Sequence, residues 1–203
     1  MSRTRRKVPR SRAEAKQHTH AALLAAGVAE FADHGFDASL DAICARAKLT
    51  RGAFYVHFAD RDAFIVAVMQ HVLGTFVAAL TGGTDPRLPT IDVAIRLFLA
   101  AVRARSPLVH GGPGLRFHHL LEACRRSPAI GDTYRILITT ARDRLAALIP
   151  AGGELEPAAL ADLLVLAAFG VLVATEIELP LDLDRLERAM LATITSRSAP
   201  ARG

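Results

Sequence analysis

Apolar residues recur three and four positions apart along most of the chain, and stretches that alternate from one residue to the next are nearly absent. That period places side chains on one face of an α-helix, so the chain is expected to be all-α. A first helix is expected over 12–34, with Leu23, Ala26, Gly27, Glu30 and Phe31 along neighbouring rows. Gly35 follows where a left-handed stop is wanted, and Phe36 is then placed to pack back on Phe31. Ser39 and Asp41 suit the cap and first turn of a second helix over 40–47. After a tight turn at Lys48 and Leu49, Thr50 caps a third helix that starts at Arg51. Asp60 caps a fourth, carrying Phe64, Ile65, Val68, Val72, Phe76 and Leu80, and Gly82, Gly83, Pro86 and Pro89 end it. Further helices are expected over 91–105, 115–126, 128–149, 157–178 and 183–196. Pro128 and Pro157 fall in first turns, where the missing N–H costs nothing. No internal repeat is evident.

The spacing of the second and third helices is that of a helix-turn-helix, in which small residues at the crossing hold the second helix out far enough to enter a major groove. Ala42, Cys44, Ala45 and Ala47 supply them on the supporting helix, and Gly52 and Ala53 on the reading helix. Ile43, Leu49, Phe54 and Phe58 are the expected apolar clamps onto the first helix. Thr50, Arg51, Tyr55 and His57 then remain for the surface, all able to donate hydrogen bonds to phosphates or base edges.

Charge sharpens this picture. Of the net +5, residues 1–61 carry 11 Lys and Arg against 6 Asp and Glu, and the remainder carries 14 against 14. The excess therefore belongs to the end that holds the helix-turn-helix, and Arg3, Arg5, Arg6, Lys7, Arg10, Arg12 and Lys16 face only Glu14 among the first sixteen residues. A basic segment joined to a neutral body suggests a polyanion-binding end and a second domain with another task; for residues 1–10 alone, a solvated tail is an equal alternative.

The segment 39–64, SLDAICARAKLTRGAFYVHFADRDAF, resembles the DNA-binding domain of the TetR family of bacterial repressors, and the likeness extends back over EFADHGFDASL. The resemblance implies a sequence-specific repressor that acts as a homodimer on double-stranded operator DNA and is released by a small, largely apolar effector. It also implies that Thr50, Arg51, Gly52 and Ala53 lie at or in the major groove, with Arg51 reading a base. Ser39, Tyr55, His57 and Arg61 match positions that hold the phosphate backbone. Lys48, at the same surface, stands where the turn commonly has Gly, so either a left-handed backbone there carries about 1 kcal/mol of strain or the turn takes a slightly different form. Val56 stands where many members have Trp or Tyr, which removes an aromatic contact to a sugar.

The remaining expectations concern the second half. A tail over 1–10, a DNA-binding domain over 11–59 and a ligand-binding and dimerisation domain over 60–196 are expected. Candidate effector-pocket residues, chosen from apolar faces, are Ile95, Phe98, Phe117, His118, Leu121, Tyr134, Ile138 and Phe169. The helix over 157–178 is apolar nearly all round and must be covered on two sides, so Leu164, Val171 and Leu172, with Leu186 and Met190 from the last helix, are expected to form a dimer interface. His118, His119 and Glu122 form an HHxxE cluster with no assignable third ligand, and no metal or cofactor is expected. Cys44 and Cys124 fit no disulfide or zinc spacing and read as buried thiols of a reducing, cytoplasmic setting. The apolar run 163–174 is too short to span a bilayer. Neither HExxH, GxSxG, a Walker motif nor GxGxxG is present, which argues against an enzyme. A DNA-organising protein without a ligand is the other alternative, but it would not need the neutral, apolar second half.

Overall fold

The computed structural model describes residues 11–82, 90–104, 116–152 and 155–195. Among them are nine α-helices and no strand: α1 (Arg12–His34), α2 (Leu40–Ala47), α3 (Arg51–Tyr55), α4 (Arg61–Thr81), α5 (Ile91–Arg103), α6 (Phe117–Arg126), α7 (Pro128–Leu148), α8 (Pro157–Glu176) and α9 (Leu183–Thr195). The basic tail over 1–10 lies outside the described residues.

Local chemistry sets most helix ends. Ser11 and Glu14 form a capping box, with the Ser11 hydroxyl accepting from Glu14 N–H at 3.1 Å and the Glu14 carboxylate accepting from Ser11 N–H at 2.7 Å. Ser39, Thr50 and Asp60 cap α2, α3 and α4 as their types imply, and Pro128 and Pro157 open α7 and α8. The end of α1 differs from the expected left-handed stop. Gly35 has φ 69° and ψ −174°, a region open in practice to glycine alone, and the chain continues into a short 3-10 turn, Gly35–Asp37. The expected contact is nevertheless made, with the Phe36 and Phe31 rings 4.9 Å apart.

Two apolar cores follow. In the first, Phe31, Phe54, Phe58 and Phe64 join α1, α3 and α4, and the same core continues through Val68 and Val72 to Phe117, Leu120, Ile130 and Leu172. The apolar packing thus runs past Asp60, where the second domain was expected to begin. The second core lies among α5, α8 and α9 around Ile95, Leu99, Ala161, Leu164 and Met190. Its rim is tied by Arg96 to Glu187 at 2.7 Å, and by Arg103 to Asp184 at 2.7 Å and Glu187 at 3.0 Å.

Helices α4 and α8 are both long and apolar enough to cross a membrane by length and composition alone. The run over 163–174 is therefore part of a longer apolar helix than its own length suggested. In this fold α4 is packed against α1, α5 and α7, and α8 against α6 and α7.

One ion pair with a buried carboxylate fastens the supporting helix. Glu30 of α1 is 5% exposed, and its carboxylate accepts from Arg46 Nε of α2 at 2.5 Å and lies 3.2 Å from His34 Nδ1. Arg46 also reaches Asp33 at 2.9 Å. A buried carboxylate without such a partner is strongly unfavourable, so this pair fixes the rotation of α2 on α1.

Gly27 marks the tightest approach of α1 to α4: a Cβ there would lie 2.5 Å from Phe64 Cζ and 3.0 Å from Val68 Cγ2. Because Phe64 is wholly buried among other rings, Gly27→Ala is expected to lower stability by about 1–3 kcal/mol in urea unfolding. An unchanged midpoint would mean that the two helices part at no cost.

Candidate nucleic-acid interface and effector cavity

Helix α3 has only five residues, and Phe54 is the one among them that is buried. Its ring lies 5.1 Å from Phe64 and 5.3 Å from Phe58, in edge and tilted arrangements that favour aromatic pairs. With Phe54 pointing inward, the opposite surface of α3 presents Arg51, Gly52 and Tyr55 to solvent, with Thr50 at its cap and Ala53 half-buried. Ser39 and Lys48 are exposed beside them, and His57 is half-buried. The proposed DNA-binding residues of α2, α3 and the turn between them are thus exposed or half-buried.

Each of these side chains has a definite setting. The Ser39 and Thr50 hydroxyls accept from Ala42 N–H at 3.1 Å and Ala53 N–H at 3.2 Å, which leaves each O–H available as a donor. Lys48 has φ 57° and ψ 41°, the left-handed conformation expected at a position that commonly holds Gly. His57 sits 5.7 Å from the His20 ring; burial, then the charges of His20 and Lys16, hold its pKa below the usual histidine value. Val56 is exposed and offers an aliphatic surface where an aromatic ring is common.

Arg51 makes a two-pronged ion pair with Asp41 of α2, Nε to Oδ1 at 2.5 Å and Nη2 to Oδ2 at 2.6 Å. The hydrogen bond from Arg51, opposed by desolvation and reinforced by the charge of Arg51, holds the Asp41 carboxyl below its ordinary value. Sequence periodicity gives no sign of this pair, because ten residues and a turn separate its members.

Arg61 corrects an expectation. Its guanidinium is turned inward and donates to the carbonyls of Phe36 and Ala38, the latter at 2.7 Å, instead of standing out toward a phosphate. The 3-10 turn after α1 leaves those carbonyls without helical partners, and the first turn of α4 lies close enough to satisfy them.

A cavity of about 120 Å³ lies among α4 to α9. Of the eight candidates, Ile95, Phe98, Phe117, Tyr134, Ile138 and Phe169 line it. Tyr134 is the one lining residue with a polar side chain, and burial pushes its hydroxyl pKa well up. Phe117 stacks on Phe169 at 5.6 Å. Two candidates do not belong. Leu121 points to solvent and Leu120, one residue earlier, takes its place; a step of one residue on a helix turns the side chain by about 100°. His118 is exposed and pairs with Glu176 of α8 at 2.9 Å, while the Glu176 carboxylate also accepts from the backbone N–H groups of Phe117 and His118, closing the start of α6. The sequence reading missed the contribution of α4, whose Leu73, Phe76, Val77 and Leu80 form one wall. Phe76 and Leu80 were legible as an apolar row, but not what the row faced.

The HHxxE residues do not converge. Glu122 pairs with Arg126 at 2.5 Å, and His119 lies under Gly35 with its Nδ1 buried. Among the described residues no group of three or more His, Cys, Asp and Glu is placed to hold a metal ion. Cys44 is buried, Cys124 is half-buried, and desolvation raises both thiol pKa values.

The expected dimer residues also need correction. Leu164, Val171, Leu172 and Met190 are buried within the protomer, and Leu164, Leu172 and Met190 line the cavity, while Leu186 packs at the edge of the second core. Because α8 is apolar all round, its sequence does not say which row faces inward. The row that stays outside is Leu163, Leu166, Gly170, Val173 and Ile177, with Leu166 64% exposed.

A helix-turn-helix with a guanidinium at the start of its second helix is carried here on a helical body around an apolar cavity. Residues 23–68 match the family described as bacterial regulatory proteins, tetR family. Several solved structures share the fold over most of their length. Salmonella enterica GusR is 20% identical, with 87% of this chain and 94% of that chain covered and a TM-score of 0.65. SCO4454, a TetR-family transcriptional regulator from Streptomyces coelicolor, is 22% identical, with 88% and 93% covered and a TM-score of 0.61. A complex of SmeT with triclosan is 22% identical, with 86% and 90% covered and a TM-score of 0.61. At this identity the likeness is one of fold. No curated protein matches the chain.

The left-handed Lys48 yields a test with two readouts. Lys48→Gly is expected to relieve about 1 kcal/mol of backbone strain and raise the urea midpoint. It removes a cation from the surface expected to face DNA, so affinity should fall equally for all duplex sequences. A lower midpoint would show that the Lys48 side chain contributes more than the strain costs.

Proposed function

We propose that this chain is a homodimeric transcription repressor that binds operator DNA through α3 and is released by an uncharged, largely apolar small molecule held in the cavity. The observation that carries this reading is the placement of α4. It is one unbroken helix of 21 residues, about 30 Å long. Its first turn grips the turn after α1 through Arg61, and its far half walls the cavity through Leu73, Phe76, Val77 and Leu80. A ligand that displaces that wall tilts the rod and moves the reading head. Two heads that read half-sites about 34–36 Å apart lose contacts when their separation changes. A ligand that prefers the released state a hundredfold shifts the balance by about 2.7 kcal/mol.

The cavity's chemistry supports the ligand class. No charged residue lines it and its surface is almost wholly apolar, so an ionised ligand would be buried without a counter-ion, at a cost that an apolar molecule avoids. The solved complex of SmeT with triclosan supports the view that this fold accommodates such molecules. The exposed row on α8 supports the dimer, since apolar residues repeat there at spacings of three and four along one face and a second copy would cover them.

The decisive experiment pairs binding with release. Uncharged aromatic compounds should raise the melting temperature and lower affinity for a duplex selected by the protein. Ala168→Phe, which fills the cavity, should bind that duplex and lose both responses. Compounds that stabilise the protein while leaving DNA affinity untouched would refute release. For the dimer, Leu166→Glu should sediment as a monomer at micromolar concentration, and a persistent dimer would place the interface elsewhere.

A further inference from the structure

A carboxylate on a surface that meets phosphates needs a reason, because unpaired it repels the DNA backbone. Asp41 stands on the exposed side of α2 and faces Arg51 at the first position of α3. Its two oxygens take the side edge of the guanidinium, Nε–H and one hydrogen of Nη2, at 2.5 and 2.6 Å. A guanidinium has five N–H donors in a rigid plane, so three remain. Two of these, one on each terminal nitrogen, point in parallel from the end edge. Two parallel donors match the O6 and N7 acceptors of guanine, and adenine, with a donor in place of O6, does not offer that pair.

We propose that Asp41 is a positioning residue that locks Arg51 so that its end edge reads a guanine in each operator half-site. The inference rests on the DNA-binding reading above and adds to it the base and the residue that sets its geometry. Held from the side, Arg51 is biased against swinging away to a phosphate, and the pair loses less rotamer freedom when the base arrives. The carboxylate is tolerated beside DNA because the pair is neutral as a unit. In water an exposed pair of this kind adds little to stability, so its value lies in orientation.

The test uses the full chain and a pool of random-sequence duplexes. Wild-type protein should select a motif with a guanine in each half-site that Arg51→Ala no longer selects. Asp41→Ala should weaken that same guanine preference about tenfold while binding random duplex as tightly as wild type or more so, because an acid has left the surface. A merely structural role would lower both alike and shift the melting temperature, which should stay unchanged. The double variant should show no further loss of base preference beyond Arg51→Ala. If Asp41→Ala binds the selected motif more tightly with the guanine preference intact, Asp41 withholds Arg51 and the proposal is overturned. It is also overturned if the guanine preference is the same in both proteins. Failure of wild type to select any motif overturns the DNA-reading function itself, which separates that failure from the failure of the Asp41 role.

Discussion

Everything at the DNA-facing end depends on the docking of one side chain, Phe54. A helix of five residues is far too short to persist alone, because the cost of its first turn is not recovered in so few hydrogen bonds. The ring of Phe54 is fully buried against Phe58 and Phe64, and Phe64 in turn meets Phe31 at 5.8 Å. That cluster holds α3 rigidly on α1 and α4 and leaves its polar face outward. Gly27 allows it, since any side chain there would occupy the space of the Phe64 ring.

The same cluster makes the reading head and the body one mechanical unit. From Phe64 the apolar core continues without a break through Val68 and Val72 to α6 and α7. Arg61 adds a polar tie at the surface, and Arg126 of α6 reaches Asp37 beside the same turn at 2.7 Å. A displacement of α4 at the cavity therefore has little slack through which to dissipate. Close-packed interiors deform by switching between arrangements, and a rod anchored at both ends converts a local repacking into a tilt.

Two ion pairs in the head illustrate how burial changes the role of the same chemistry. Glu30 is drawn into the protein, where its carboxylate has little solvent to fall back on, so its pairing with the more exposed Arg46 dictates how α2 sits on α1. Asp41 with Arg51 lies in water on both sides, where it contributes little energy and chiefly sets direction. The first pair builds the scaffold, and the second arranges what the scaffold presents.

The sequence by itself determined the helical class, the limits of α1 and α2, the start of α3, the caps at Ser39, Thr50 and Asp60, and the place of the turn at Lys48. These follow from short-range rules: the 3.6-residue period, the hydroxyl or carboxylate that satisfies a free N–H, and the sterics of one residue's backbone. Most of the cavity was legible for the same reason, since Ile95, Phe98 and Phe169 lie on faces that must be buried somewhere. What only the tertiary structure decided was which buried face meets which. It turned Arg61 toward Phe36 and Ala38, put Leu120 in the cavity and Leu121 outside, gave His118 to Glu176, and reversed the inner and outer rows of α8. In each case the chain offers two chemically equal choices, and the choice is made by partners distant in sequence. A helix apolar on every side carries no periodic signal of which side faces its own protomer, so packing alone resolves it.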